Sequence, residues 1–194
     1  MKHFICALIL STCLVLPTCA HHSSVEHGSV QTSETTIKKE TYDASRRIES
    51  ECQGAMQTDV QTMMRSAKIL LNEYNGASLS LMQWNIRVWQ NQCDKGEATE
   101  LCLARAKKWA RENGKYDVIE AYRKCVNEIL DSIGGNGAFD KASYDLLLRF
   151  QRVSHRAKDL ALDPGGSLNG YTKSYDDLMN ESLQISSELS LKLL

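Results

Sequence analysis

Between Pro17 and Pro164 the chain contains no proline at all, so nothing over most of its length forbids an α-helix. The apolar residues use that freedom. Met56, Val60, Met63, Ala67, Leu70 and Tyr74 step by 4, 3, 4, 3 and 4, the spacing of a helix that buries one stripe against other helices. The spacing predicts a first helix from about Asp43 to Asn75, ended by Asn75-Gly76, residue types that close helices. Leu79, Met82, Ile86, Trp89 and Cys93 give a second, closed by Asp94-Lys95-Gly96.

A third helix is expected from Thr99 to Glu112, with Leu101, Cys102 and Trp109 inward and a stop at Asn113-Gly114. Val118, Tyr122, Cys125, Ile129 and Ile133 mark a fourth, ended by the glycine-rich Gly134-Gly135-Asn136-Gly137. Leu146, Phe150, Val153, Ala157 and Leu160 mark a fifth, stopped by Asp163-Pro164. Tyr171, Tyr175, Leu178, Ser182, Ile185 and Leu189 mark a sixth. No stretch alternates as a strand does. The expected fold is all-α, an antiparallel bundle of four to six helices with coiled-coil-like seams, in which short connections make sequential helices antiparallel neighbours. Such seams also suit pairing between chains, so a homodimer is compatible with the pattern.

The first twenty residues read differently. MKH followed by FICALILSTCLVL is a short basic start and an apolar run too brief to span a bilayer, the pattern of an export signal. Cleavage before Cys19 would leave a lipidated cysteine, with Leu16 three places ahead of it; cleavage after Ala20 would leave none. Residues 21–41 are polar, rich in Ser and Thr and aperiodic, and read as a flexible tether; residues 42–194 form the single domain. A tether behind a lipid-bearing cysteine suits a bacterial lipoprotein, placing the chain in the cell envelope at the outer membrane or in the periplasm, with secretion as the alternative.

Export gives the cysteines meaning. With Cys6, Cys13 and Cys19 set aside, Cys52, Cys93, Cys102 and Cys125 remain, an even number suited to two disulfides in an oxidising compartment. Three pairings exist. Cys93 and Cys102 flank the predicted turn near Glu97 and stand nearly opposite in a helical hairpin, which favours Cys93 with Cys102 and Cys52 with Cys125. No C-x2-C pair suggests zinc.

Catalytic signatures are sparse. His155 is the one histidine of the domain and has no carboxylate or nucleophile at a recognisable spacing. It reads as a core-edge or surface residue. His21, His22 and His27 fall in the tether without a thiol or carboxylate partner, so no metal site is expected. Gly134 to Phe139 lacks the Lys-Ser/Thr of a phosphate loop and reads as a connector. A hydrolase using Asp176 and Asp177 is a weak alternative, since adjacent helical residues point about 100° apart. The formal charge of −1 offers no case for nucleic acid. No cofactor is implied.

Trp89, Cys93 and Cys102-Leu103 with basic residues following are similar to the W…C…CL…R segment of small periplasmic lysozyme-inhibitor domains. Leu70 to Asn75, LLNEYN, is similar to their Leu-Asn-x-x-Tyr run. That family's second N-terminal cysteine is missing here and the Trp-to-Cys spacing differs. The resemblance implies, as an alternative, an inhibitor of a cell-wall enzyme. The main expectation is a non-enzymatic envelope protein that binds another envelope or secreted protein through a helical face and meets the membrane through a lipid anchor. Leu81, Trp84 and Val88, apolar and outside the second seam, with Trp109 and Tyr116, are the candidate contact residues.

Overall fold

The structure, a computed structural model, describes residues 28–93 and 99–193. Cys19, the export signal and residues 21–27 of the expected tether lie outside the described residues. Six helices follow in order: α1 Gly28–Met56, α2 Val60–Gln92, α3 Thr99–Glu112, α4 Lys115–Asn136, α5 Lys141–Leu162 and α6 Leu168–Lys192. No strand occurs among the described residues, and the all-α bundle is the fold.

Its axis is α2, which touches every other helix. Two predicted boundaries move as a result. Asn75-Gly76 does not end a helix: Asn75 is buried inside α2 and the missing side chain of Gly76 faces open space. An exposed mid-helix glycine costs only about 1 kcal/mol, less than burying Tyr74, Ser78 and Leu81 around it returns. The true break is at Gln57-Thr58-Asp59. There the Asp59 carboxylate caps α2 by accepting from the Thr62 backbone N–H at 3.1 Å, and Thr58 Oγ1 donates to the Ala55 carbonyl at 2.6 Å. Asp140 and Ser167 cap α5 and α6 in the same way.

The third correction concerns direction. Cys93 is bonded to Cys102, Trp84 stacks on Trp109, and Ser132 on α4 reaches Met63. Residue numbers thus fall along α2 as they rise through α3 and then α4. The two helices run in tandem, antiparallel to α2, and Asn113-Gly114 bends the chain rather than reversing it. Gly114 has φ +64°, a left-handed conformation that costs other residues 1–2 kcal/mol or about that. A Cβ there would also overlap the Thr41 side chain.

On the other side α6 runs antiparallel to α2. Lys68 Nζ donates to Ser190 Oγ at 2.7 Å, Ser186 Oγ to Asn72 Oδ1 at 2.9 Å, and Arg65 Nε to the Leu193 carbonyl at 3.0 Å. Helix α5 lies antiparallel to α4 and α6, with the Tyr144 hydroxyl on the Leu130 carbonyl and Arg149 and Arg156 both on Glu181. Buried Ser78, Ser154 and Ser182 donate to the carbonyl four residues back, which satisfies their hydroxyls where small side chains let helices approach.

Helix α1 takes in residues 28–41, the part of the polar stretch expected to be tether. Composition alone underestimates this segment because its neighbours are remote in sequence: Ile37, Thr41 and Tyr42 line one groove with Arg111 and Gly114 of the α3–α4 bend. Further along, Ile48, Cys52 and Ala55 are buried, chiefly against α4.

Candidate functional site

The five candidate contact residues divide. Leu81 and Val88 are 5% and 8% exposed and belong to the core, because α2 packs against every other helix and leaves only one narrow stripe exposed. Tyr116 is also structural. Its hydroxyl donates to the Leu162 carbonyl at 2.8 Å, and the Arg111 guanidinium lies over its ring at 5.4 Å. Burial pushes its phenol up.

Trp84 and Trp109 are brought together. Their rings stack with centroids 4.3 Å apart and planes 20° from parallel. Trp109 remains 38% exposed and Leu101, two turns earlier on α3, 52% exposed. Both were expected to point inward; Leu103, Ala106 and Ala110 are buried in their place, so the buried stripe of α3 is displaced around the helix. Small alanines bring α3 close to the bundle and leave the larger residues at its edge. Arg105 and Lys108 stand on the same exposed side as Leu101. The Cys93–Cys102 bond fastens one end of this α2–α3 hairpin, and an ion pair from Lys107 to Asp163 ties the helix to the α5–α6 connection.

A second polar arrangement lies where α2, α4 and α5 meet. The Tyr74 ring, fully buried, meets the His155 ring edge-on at 5.8 Å. Tyr74 Oη and His155 Nε2 are buried without a hydrogen-bond partner among the described residues, as is Asn75 Oδ1. Burial, with Lys158 and Arg123 adding to it, holds the His155 imidazole below its ordinary value, and burial holds the Tyr74 phenol well above its own. Both rings are therefore neutral at pH 7. Among the described residues His155 Nε2 has no hydroxyl or thiol as a hydrogen-bond partner, the contact by which a general base activates a nucleophile. Asp176 and Asp177 are exposed on α6. No three of His, Cys, Asp and Glu gather as metal ligands among the described residues, and no helix there is long and apolar enough to cross a membrane.

Sequence reading missed a junction at the C-terminal end of α5. Three successive carbonyls, which the helix itself leaves without donors, are each taken by a side chain from a different helix. Tyr171 of α6 donates to Leu160 at 3.0 Å, Asn85 of α2 to Ala161 at 2.9 Å, and Tyr116 of α4 to Leu162. Asn85 Nδ2 also reaches Tyr171 Oη at 3.2 Å. The available signal was a polar residue at position 85 between the seam residues Met82, Ile86 and Trp89.

Within the segments similar to lysozyme-inhibitor domains, Leu70, Leu71, Tyr74 and Trp89 are buried in the core. No protein family, curated protein or solved structure matches the chain.

Proposed function

We propose that this chain is an exported, lipid-anchored, non-enzymatic protein of the cell envelope that binds another protein through the outer face of its α2–α3 hairpin. The observation that carries the reading is the Trp84–Trp109 stack between α2 and α3, with Trp109 38% exposed on a helix that also exposes Leu101. Tryptophan is enriched among the residues that dominate interface energies. A ring already fixed by stacking loses little freedom on binding, and the disulfide at one end of the hairpin holds it in shape. Arg105 and Lys108 would give the face a basic rim. The leader and Cys19 supply the anchor in this reading.

Envelope proteins passed over the immobilised chain and over its Trp109→Ala variant test the proposal. A discrete species retained by the first and lost from the second, with the variant's helical content and Cys93–Cys102 bond intact, supports it. Equal retention, or none, overturns it. Incorporation of labelled palmitate that disappears in Cys19→Ser tests the anchor; unchanged incorporation contradicts it.

A further inference from the structure

We propose that Cys52 and Cys125 form a redox-set latch that holds α1 on the bundle. Unlike α2, α1 is held from one side: it packs chiefly on α4 and only at an edge on α2. Its contacts run parallel to α4, from Thr41 against Gly114 to Cys52 at the Cys125 carbonyl. Among the described side chains of α1 only Ile48, Cys52 and Ala55 are buried. Cys52 lies in the middle of that short apolar stretch. Its thiol donates to the Cys125 carbonyl oxygen at 3.5 Å and to Glu128 Oε2 at 3.7 Å, and both cysteines are free thiols in this structure. Both residues are 3% exposed. The two other cysteines of the bundle are already bonded to each other, so neither competes for this pair.

The chemistry is thiol–disulfide exchange with a small disulfide such as oxidised glutathione, or with a disulfide-exchange protein of an oxidising compartment. One thiolate of the pair attacks a sulfur of the donor and releases one thiolate. The second then attacks the mixed disulfide and releases the other. The cysteine pair loses two electrons and two protons, and the donor leaves as two thiols. Both cysteines are buried, so exchange in either direction requires α1 to lift from α4. Once bridged, Cys52 stays tethered to α4 even when the rest of α1 lifts; once reduced, α1 is held by non-covalent contacts alone, Ile48 and Ala55 foremost, and its departure uncovers the α4 surface around Cys125.

The experiment uses the folded full chain, reduced with dithiothreitol and then exposed to oxidised glutathione. Thiol alkylation and peptide mapping follow Cys52–Cys125 separately from Cys93–Cys102 and from Cys6, Cys13 and Cys19. Amide hydrogen exchange is read helix by helix. We expect a Cys52–Cys125 linked peptide after oxidation, and exchange over residues 36–56 about tenfold or more slower than in a Cys52→Ser, Cys125→Ser variant. Exchange in α2, α5 and α6 stays the same in both, and a Cys93→Ser, Cys102→Ser variant keeps α1 protected. Absence of the linked peptide overturns the proposal, as does unchanged exchange in α1. So does faster exchange in all helices together, which would make the bridge a clamp on the whole bundle.

Discussion

Replacing Asn85 by alanine removes the side chain that joins α2 to the end of α5 and to α6. Asn85 is 2% exposed and donates at 2.9 Å to the Ala161 carbonyl and at 3.2 Å to the Tyr171 hydroxyl. Each bond contributes about 0.5–1.5 kcal/mol net, and a buried carbonyl stripped of its donor costs about 1–3 kcal/mol. Tyr171 loses less, since its hydroxyl keeps the Leu160 carbonyl as acceptor. The expected loss is about 2–3 kcal/mol, a large fraction of a typical domain's 5–15 kcal/mol or about that. Urea unfolding followed by tryptophan fluorescence, with the disulfide intact and the m-value unchanged, reads it directly. Tyr171→Phe should cost about 1–2 kcal/mol alone. Combined with Asn85→Ala it should cost less than the sum by about 0.5–1 kcal/mol, because both changes remove the same bond. A loss below about 0.5 kcal/mol for Asn85→Ala, or strict additivity, would refute the idea that buried side chains close the α5 terminus.

Two further outcomes follow from the geometry. Gly114→Ala should destabilise by about 2 kcal/mol or more, through its positive φ and its overlap with Thr41; adding Thr41→Gly should recover part of that loss in urea unfolding, and no recovery would rule out the contact. His155 takes a proton less readily when folded than when unfolded, because burial, then Lys158 and Arg123, oppose its charge. The unfolded chain therefore binds more protons as pH falls through about 6.5, the ordinary imidazole value, and stability should drop there. His155→Phe should flatten that part of the pH profile, and an unchanged slope would exclude His155 as its source.

Much of the bundle is legible in the sequence where one face of a helix is apolar and the other polar. Helix α3 has the expected bounds, Thr99–Glu112, and Phe150, Val153, Ala157, Leu178, Ile185 and Leu189 are buried as their spacing requires. The pairing of Cys93 with Cys102 follows from hairpin geometry and is present, whereas Cys52 and Cys125, expected as a second disulfide, are neighbouring free thiols. Helix α2 departs from its expected pattern for a physical reason. A central helix with neighbours around most of its circumference buries more than one seam, so Leu81 and Val88, off the predicted seam, are core, and Asn75-Gly76 does not punctuate. The break at Asp59 is written in a side-chain cap, which a seam continuing through Met56, Val60 and Met63 hides. The α3–α4 bend was open to misreading because Asn-Gly terminates a helix without saying where the chain goes next. The Trp84–Trp109 stack could not be read at all, since it depends on the angle at which α3 meets α2.

The claim that most needs testing is that the Trp109 side of α3 meets a protein partner in the envelope. A photoreactive amino acid placed at Leu101, 52% exposed, and separately at Leu183 on α6, 60% exposed, can be cross-linked in intact cells that make the full chain. The account predicts a discrete protein adduct from position 101 that is lost when Trp109 is also changed to alanine, with none from position 183. Equal adducts from both positions, or an adduct from 101 that survives Trp109→Ala, would contradict it.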